Sequence, residues 1–358
     1  MRYPRRMENA NPTLQDKIGQ MVLAGFRGLE LSETDPLIQD LRTRNLGAAI
    51  LFDQEMADQT LSARNIQSPA QVKALVASLH QAASTPLLVA IDQEGGRVNR
   101  LKPVYGFPET LSHEELGLRN DPEFTFAHAA LIAQTLAGLG INLNLAPVVD
   151  LDANPDNPII KGKRRSFHAD PEIVTTHALA YARAHRQHGV LICPKHFPGH
   201  GSARGDTHLG LVDVSKTWTE RELIPFQRLI ESGLTDIIMT AHVFNANLDP
   251  ERPATLSARV LQGILRDRLG YQGLIVSDDM EMRAITSQFG LESAIQFGIE
   301  AGLDMLCFGN NLSYHRDIGE KVVGIIRGLV EAGKISEARI DESYCRIQAL
   351  KQRLPVSA

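Results

Sequence analysis

From Leu14 onward, short apolar runs alternate with longer segments of helical period, and this alternation restricts the fold more than any other property of the chain. The runs cover residues 21–26, 48–52, 87–92, 141–148, 190–196, 236–242, 274–279 and 305–309. Between them lie helical patterns over 68–83, 121–139, 170–187, 219–231, 257–269 and 292–301, the first opening on Ser68 as N-cap with Pro69 behind it. Strands that are apolar on both faces need cover on both sides, which crossover helices and a closed interior supply. Eight such repeats predict a single (β/α)8 TIM-type α/β barrel with long βα loops. A doubly wound open sheet is the structural alternative. Residues 313–353 read as two amphipathic helices on the exterior or bottom of the barrel. Residues 1–12 are expected to form an N-terminal tail and 13–358 the catalytic barrel domain, C-terminal helices included.

The polar residues of these runs gather at one end. Asp92 ends the third, Asn144 lies in the fourth with Asp150 just after it, Lys195 and His196 end the fifth, His242 ends the sixth, and Asp278 and Asp279 end the seventh. In a parallel barrel those ends share one mouth, so residues distant in sequence converge there. The loops after the third, fourth and fifth runs, 93–120, 149–169 and 197–218, are also long.

The richest stretch is VLICPKHFPGHGSARGDTHLGLVDV, residues 190–214. A zinc reading of its histidines is disfavoured, because Pro198, Gly199 and Gly201 prevent the helix that would bring His196 and His200 onto one face. Acid–base chemistry fits better. Asp206, two residues before His208, can accept from one ring nitrogen and leave the other for substrate. Asp278 in VSDDMEM follows an apolar strand, which suits a nucleophile or a stabiliser of a developing cation, whereas helix capping fits Asp279. In IDQEGGRVNRL the pair Gly95-Gly96 allows a tight turn that frees Asp92 and Arg100 to reach inward, and the nucleotide-loop spacing is missing. In GKRRSFHADP, Arg164, Arg165 and His168 precede a helix capped by Asp170; that loop reads equally as a solvated basic turn.

Composition narrows the partners. With 43% hydrophobic and 22% charged residues the chain is an ordinary globular one, and a net charge of −5 without a long basic block argues against nucleic acid. Three cysteines imply no disulfide framework and suit a reducing compartment. No apolar run reaches the roughly 18 residues of a membrane span. A cytoplasmic, monomeric protein without metal or cofactor, and without a membrane partner, is expected.

At KHFPGHG followed by Asp206-Thr207-His208, and at DQEGGRVNR, RRSFHADP and SDDMEM, the chain resembles glycoside hydrolase family 3, in its branch of bacterial β-N-acetylhexosaminidases of the NagZ type. The similarity runs from about Leu14 to Gly309. It implies a TIM-type barrel, a retaining mechanism, and release of non-reducing terminal N-acetylglucosamine from cell-wall fragments (GlcNAc-containing muropeptides) in peptidoglycan recycling. By the same resemblance Asp278 would be the nucleophile, His208 the acid/base and Asp206 its tuning partner. Asp92, Arg100, Arg165, Lys195 and His196 would match the positions that hold the sugar. Larger relatives add a second α/β domain, for which this chain is expected to have no room. The stretch MEMRAI departs from the commonest form of the branch. Three rivals stand beside this reading: a β-glucosidase, an N-acetylglucosamine phosphorylase, and a non-catalytic sugar-binding protein, which gives no reason to keep both Asp278 and the Asp206–His208 pair.

Overall fold

Each apolar run supplies a buried strand, and a computed structural model, describing residues 11–56 and 63–354, arranges them in parallel. The strands are β1 (Val22–Gly25), β2 (Ala48–Leu51), β3 (Leu88–Ile91), β4 (Leu143–Asn144), β5 (Leu191–Ile192), β6 (Val212–Asp213), β7 (Ile237–Met239), β8 (Val243–Phe244), β9 (Leu274–Asp279) and β10 (Met305–Phe308). Eight form one sheet in the order β5-β4-β3-β2-β1-β10-β9-β7. A parallel bridge between Phe197 and Thr240 joins its two ends, with Phe197 N donating to Met239 O at 2.9 Å and Met239 N to Pro194 O at 3.1 Å. The sheet is thus a closed (β/α)8 barrel of TIM type. Strands β6 and β8, which the sequence does not announce, make a separate parallel pair.

The fourth and fifth strands are far shorter than the runs 141–148 and 190–196. Pro147 and Pro194 have no N–H to give, so each ends a regular ladder, and beyond them the fourth and fifth runs stay paired through the bridge between Val148 and Lys195. In β9 the register slips: Val276 faces Met305 while Asp279 faces Cys307, so three steps along one strand match two along its neighbour. The extra residue is a β-bulge, which bends a strand and re-aims its side chains at the site of the insertion. Asp278 lies inside it.

Ser68 and Asp170 cap their helices as expected, accepting from Gln71 and Glu172 N–H, and Asp121, at the start of the run 121–139, does the same for Phe124 N–H. Helices Leu14–Gln20, Pro36–Thr43, His113–Arg119 and Arg283–Phe289 fall where the sequence reading places no element. His113–Arg119 sits inside the supposed loop 93–120, announced only by the capping box of Ser112 and Glu115. The expected tail lies, for residues 1–10, outside the described residues; the first helix opens at Leu14 behind the cap of Thr13.

The two last helices divide their work. Ile318–Glu331 covers the barrel wall beside β1, and Glu337–Lys351 packs on Leu14–Gln20 at the bottom. The latter helix is pinned by fully buried Asp304, which accepts from Arg346 at 3.0 Å and Ser343 at 3.1 Å while holding Arg266 at 2.8 Å and Ile275 N at 3.1 Å. At its end, buried Lys351 donates to Gln20 Oε1 at 2.7 Å and to Gly47 O at 2.8 Å. Burial, uncompensated by a carboxylate, lowers this ammonium to about 7. Between that value and 10.5 the unfolded chain holds a proton that the folded one lacks. Stability contributed by the neutral amine is therefore full at high pH and lost as pH falls toward 7, roughly 1.4 kcal/mol for each unit. Both oxygens keep a second donor, Gln348 Nε2 and Leu88 N. Lys351→Met should therefore fold normally and abolish this rise in stability between pH 7 and 10, measured by urea denaturation across that range.

Candidate active site

Polar groups meet where the strands end. Just past β3, Asp92 accepts a hydrogen bond from Lys195 Nζ at 2.6 Å, and buried Glu94 binds the same ammonium at 2.7 Å. Glu94 also takes a two-pronged contact from Arg165, Nε and Nη2 each at 2.8 Å. Burial works against both the Glu94 carboxylate and the Lys195 ammonium. Arg165 and Lys195 nevertheless hold Glu94 well below the usual carboxylate range, and Asp92 and Glu94 hold Lys195 above the usual lysine value. Each charge exists because its partners do.

His196 continues this network. Its Nε2 faces Arg165 Nη2 at 3.2 Å and its Nδ1 lies 2.6 Å from Asp150 Oδ2, so the ring is fixed from both sides. Fully buried Asp150 also accepts from His200 N at 2.7 Å and, despite its burial, is held low by His196 and His200. Asp150 therefore shapes the turn that follows β5. That turn passes so close to the fourth loop that a Cβ on Gly201 would come within 1.8 Å of Leu151 O. Only glycine fits there. The peptide bonds Lys195–His196 and Phe197–Pro198 within it are cis.

Arg100 stands apart. Its guanidinium lies 3.7 Å from Asp92 and 3.6 Å from Asp53, and its buried Nε has no hydrogen-bond partner among the described residues. Asp53 is instead engaged by Lys102. A loosely held cation with an unsatisfied donor is suited to receive a ligand oxygen.

Asp278, re-aimed by the bulge, is partly exposed in the mouth and accepts from Asp279 N at 2.8 Å. Burial alone would raise its pKa; the imidazoles of His196, His242 and His208, with that N–H, reverse the effect and bring it to about 2. It is a carboxylate at any ordinary pH. His242, buried beneath, donates from Nε2 to the carbonyl of Asp279 at 3.0 Å and meets Thr255 Oγ1 through Nδ1 at 2.8 Å, which steadies the strand end.

The loop after β5 carries Asp206 and His208, whose imidazole is one of the groups that lower Asp278. Asp206 Oδ1 accepts from both His208 N (2.9 Å) and His208 Nδ1 (2.6 Å), a local turn that sets the ring plane. Its Nε2 has no hydrogen-bond partner among the described residues, on a side chain 40% exposed. Thr207 O accepts from Ala284 N at 3.2 Å, in the helix that follows Asp278, and β6 pairs with β8 a few residues on. The loop is tied to the elements on both sides of the mouth.

All eight residues expected at the site thus lie around one mouth, in two groups: Asp92, Arg100, Arg165, Lys195 and His196 as a wall of ion pairs, and Asp278 opposite the Asp206–His208 pair. Arg164 and His168 are not part of it; Arg164 pairs with Glu114 and Glu115, and His168 Nδ1 accepts from Asp170 N. Glu94, Asp150 and His242 belong to the site without having been assigned roles from sequence. Lys195 and Arg165 signal Glu94, since two buried cations need more than Asp92 alone.

Such a barrel, with an ionised carboxylate facing an oriented imidazole, has the form of a glycosidase. The model of the glycosyl hydrolase family 3 N-terminal domain matches residues 13–350, and the chain belongs to that family. It is 34% identical over 347 residues to a beta-hexosaminidase A of Pseudoalteromonas piscicida, covering 90% of this chain and 56% of that protein. A beta-hexosaminidase of Nitrosomonas eutropha is 36% identical over 303 residues, covering 82% and 81%. Among solved structures, a family 3 beta-N-acetylglucosaminidase from a Paenibacillus species superposes with a TM-score of 0.87 at 37% identity, over 97% of this chain and 64% of that one. The chain thus spans less than two thirds of the Pseudoalteromonas and Paenibacillus proteins, and most of the Nitrosomonas one.

If Glu94 is what allows two cations to be buried, Glu94→Gln should destabilise the fold by about 3 kcal/mol or more in urea titration. The same change at Glu231, whose partner Arg228 is exposed, should cost under about 1 kcal/mol.

Proposed function

We propose that this chain is a retaining exo-β-N-acetylhexosaminidase that removes terminal β-linked N-acetylglucosamine from peptidoglycan fragments, working through a glycosyl-Asp278 intermediate. The observation that carries the reading is a carboxylate held ionised at about 2 beneath an imidazole with one nitrogen tied to Asp206 and the other free. In the first step Asp278 attacks the anomeric carbon as His208 Nε2–H passes its proton to the departing glycosidic oxygen. In the second, His208 takes a proton from water, whose oxygen displaces Asp278 and restores the configuration. Asp206, buried in part yet held below the usual carboxylate range by its bonds to His208, keeps the ring aimed.

Most retaining glycosidases use a second carboxyl group as acid/base. Here a second carboxylate beside Asp278 would raise the pKa of the nucleophile by like-charge repulsion, whereas His208 is among the groups that lower it. An imidazole acid therefore keeps the nucleophile fully ionised. The wall opposite supplies sugar contacts: Arg100 with its unused donor, Asp92 as an acceptor for hydroxyls, and Arg165, Lys195 and His196 as donors whose positions the buried carboxylates fix. The link to cell-wall fragments, and a cytoplasmic location for their turnover, follow from the resemblance to the bacterial branch of the family. The names of the relatives, beta-hexosaminidase and beta-N-acetylglucosaminidase, support the sugar.

Turnover of a fluorogenic N-acetylglucosaminide, with the product anomer followed by NMR, tests the proposal. Asp278→Ala should lower kcat by about 10⁴-fold or more on every glycoside. His208→Ala should cost about 10²-fold or more on an alkyl glycoside and far less on an aryl glycoside with an activated leaving group. Equal losses on both would remove His208 from the role. Faster turnover of the aryl glucoside would make the enzyme a β-glucosidase, and a phosphate-dependent rate would make it a phosphorylase.

A further inference from the structure

The proposed proton donor stands on a loop, so whatever fixes the base of that loop fixes the donor. Its first turn, residues 198–202, is held from the fourth loop. Asp150 accepts from His200 N, and buried Asn157 donates from Nδ2 to His200 O at 2.8 Å and to Gly201 O at 3.1 Å. The same turn is held from the loop's far end. Trp218 Nε1 donates to Pro198 O at 3.0 Å, and Glu222, in the short helix Glu220–Leu223, accepts through Oε2 from Gly201 N at 3.1 Å. Two bonds thus draw the end of the loop back onto its beginning, and Asp206 and His208 lie on the circuit they close, as in an Ω-loop.

Glu222 is the buried member of this clasp. It packs so tightly against the turn that a Cβ on Gly199 would come within 2.6 Å of both its Cβ and its Oε2, and Gly199 has a φ of 124° that suits glycine. Burial pushes the carboxyl up to about 7, so the group is largely neutral at mildly acid pH. An apolar side chain would fill this space without the cost of desolvating a carboxyl. What the acid adds is a fixed seat for the Gly201 N–H. The turn reaches the donor through His200, whose Nε2 meets Thr207 Oγ1 at 3.4 Å, and Thr207 is the residue between Asp206 and His208. Burial lowers His200 to about 4, which leaves its ring neutral with one nitrogen able to accept from that hydroxyl.

We infer that Glu222 is a positioning residue for proton donation: by closing the base of the loop it sets where His208 stands relative to the glycosidic oxygen. The inference rests on the hydrolase reading above and extends it to a buried acid that does not touch the substrate. A displaced donor weakens protonation of the leaving oxygen, which an alkyl group needs and a strongly activated phenol does not. A side chain that only stabilised the fold would lower both reactions by the same factor.

The test compares kcat/KM for methyl and 3,4-dinitrophenyl N-acetylglucosaminides at about pH 6, where an acid and an amide at this position are both uncharged. Glu222→Ala should lower the alkyl-to-aryl ratio about ten-fold. In a His208→Ala background the same change should leave the ratio unaltered, since the donor it acts through is gone. Glu222→Gln, which keeps an acceptor for Gly201 N–H, should retain more than half of the wild-type ratio. If Glu222→Ala does not fold, Trp218→Phe, which removes the other tie and keeps a ring in place, should lower the ratio about three-fold. Equal losses on both substrates in the variant that folds, a ratio that still falls without His208, or a loss with glutamine as large as with alanine overturns the inference. If the wild type turns over neither glycoside, or His208→Ala loses equally on both, the hydrolase reading fails at its own step and the inference falls with it.

Discussion

Everything at the mouth of this barrel depends on Glu94, a carboxylate buried between Arg165 and Lys195. Those two cations come from the fourth and fifth loops and Glu94 from the third, so one side chain sets the relative positions of three segments. A buried cluster of this kind is a weak source of stability, because the loss of hydration offsets most of the attraction. What it supplies is a defined arrangement. Arg165 then orients His196, Asp150 fixes the same ring from the other side, and the turn carrying Gly199 and Gly201 is laid over Asp150. The result is a rigid wall of hydrogen-bond donors beside a carboxylate, Asp278, that makes no direct ion pair among the described residues.

Charge is distributed across the pocket by type. Anions and cations alternate along the wall, whereas the Asp278 carboxylate stands among imidazoles. The imidazoles of His196, His242 and His208 around Asp278 lower its pKa without a guanidinium or ammonium paired to it among the described residues. The contrast with the Arg165–Glu94 pair is instructive: a bidentate partner would have made Asp278 a structural group.

The barrel was legible because its strands are apolar on both faces and separated by helices with readable caps; Ser68, Asp121 and Asp170 each do what their position suggests. The shortness of β4 and β5 was written in Pro147 and Pro194, but a run of hydrophobic residues hides a missing donor from any periodicity count. The site residues were legible for two reasons. Strand-end position brought out Asp92, Lys195, His196 and Asp278, and the resemblance to the family supplied roles for them and for Arg165. Glu94 escaped, and Asp150, placed at the mouth, received no role, because their importance is relational: each is one more acid in a polar loop until its cationic or imidazole partner is seen. Arg164 and Arg165 make the same point, adjacent and chemically identical, one turned to surface glutamates and the other into the wall. The pairing of β6 with β8 left no trace, two residues being too few for any pattern.

The bulge in β9 has a consequence for how this sequence can drift. The direction of Asp278 is set by a tally of residues against Met305 and Cys307 rather than by the identity of any neighbour. Losing one residue between Val276 and Asp279 would leave a well-formed ladder and an apolar interior, yet the surviving acid would stand in step with the pleat and project elsewhere. Spelling in this strand is therefore negotiable and its length is not, so that the proposed nucleophile could be disarmed by an omission while every chemically active letter remained in place.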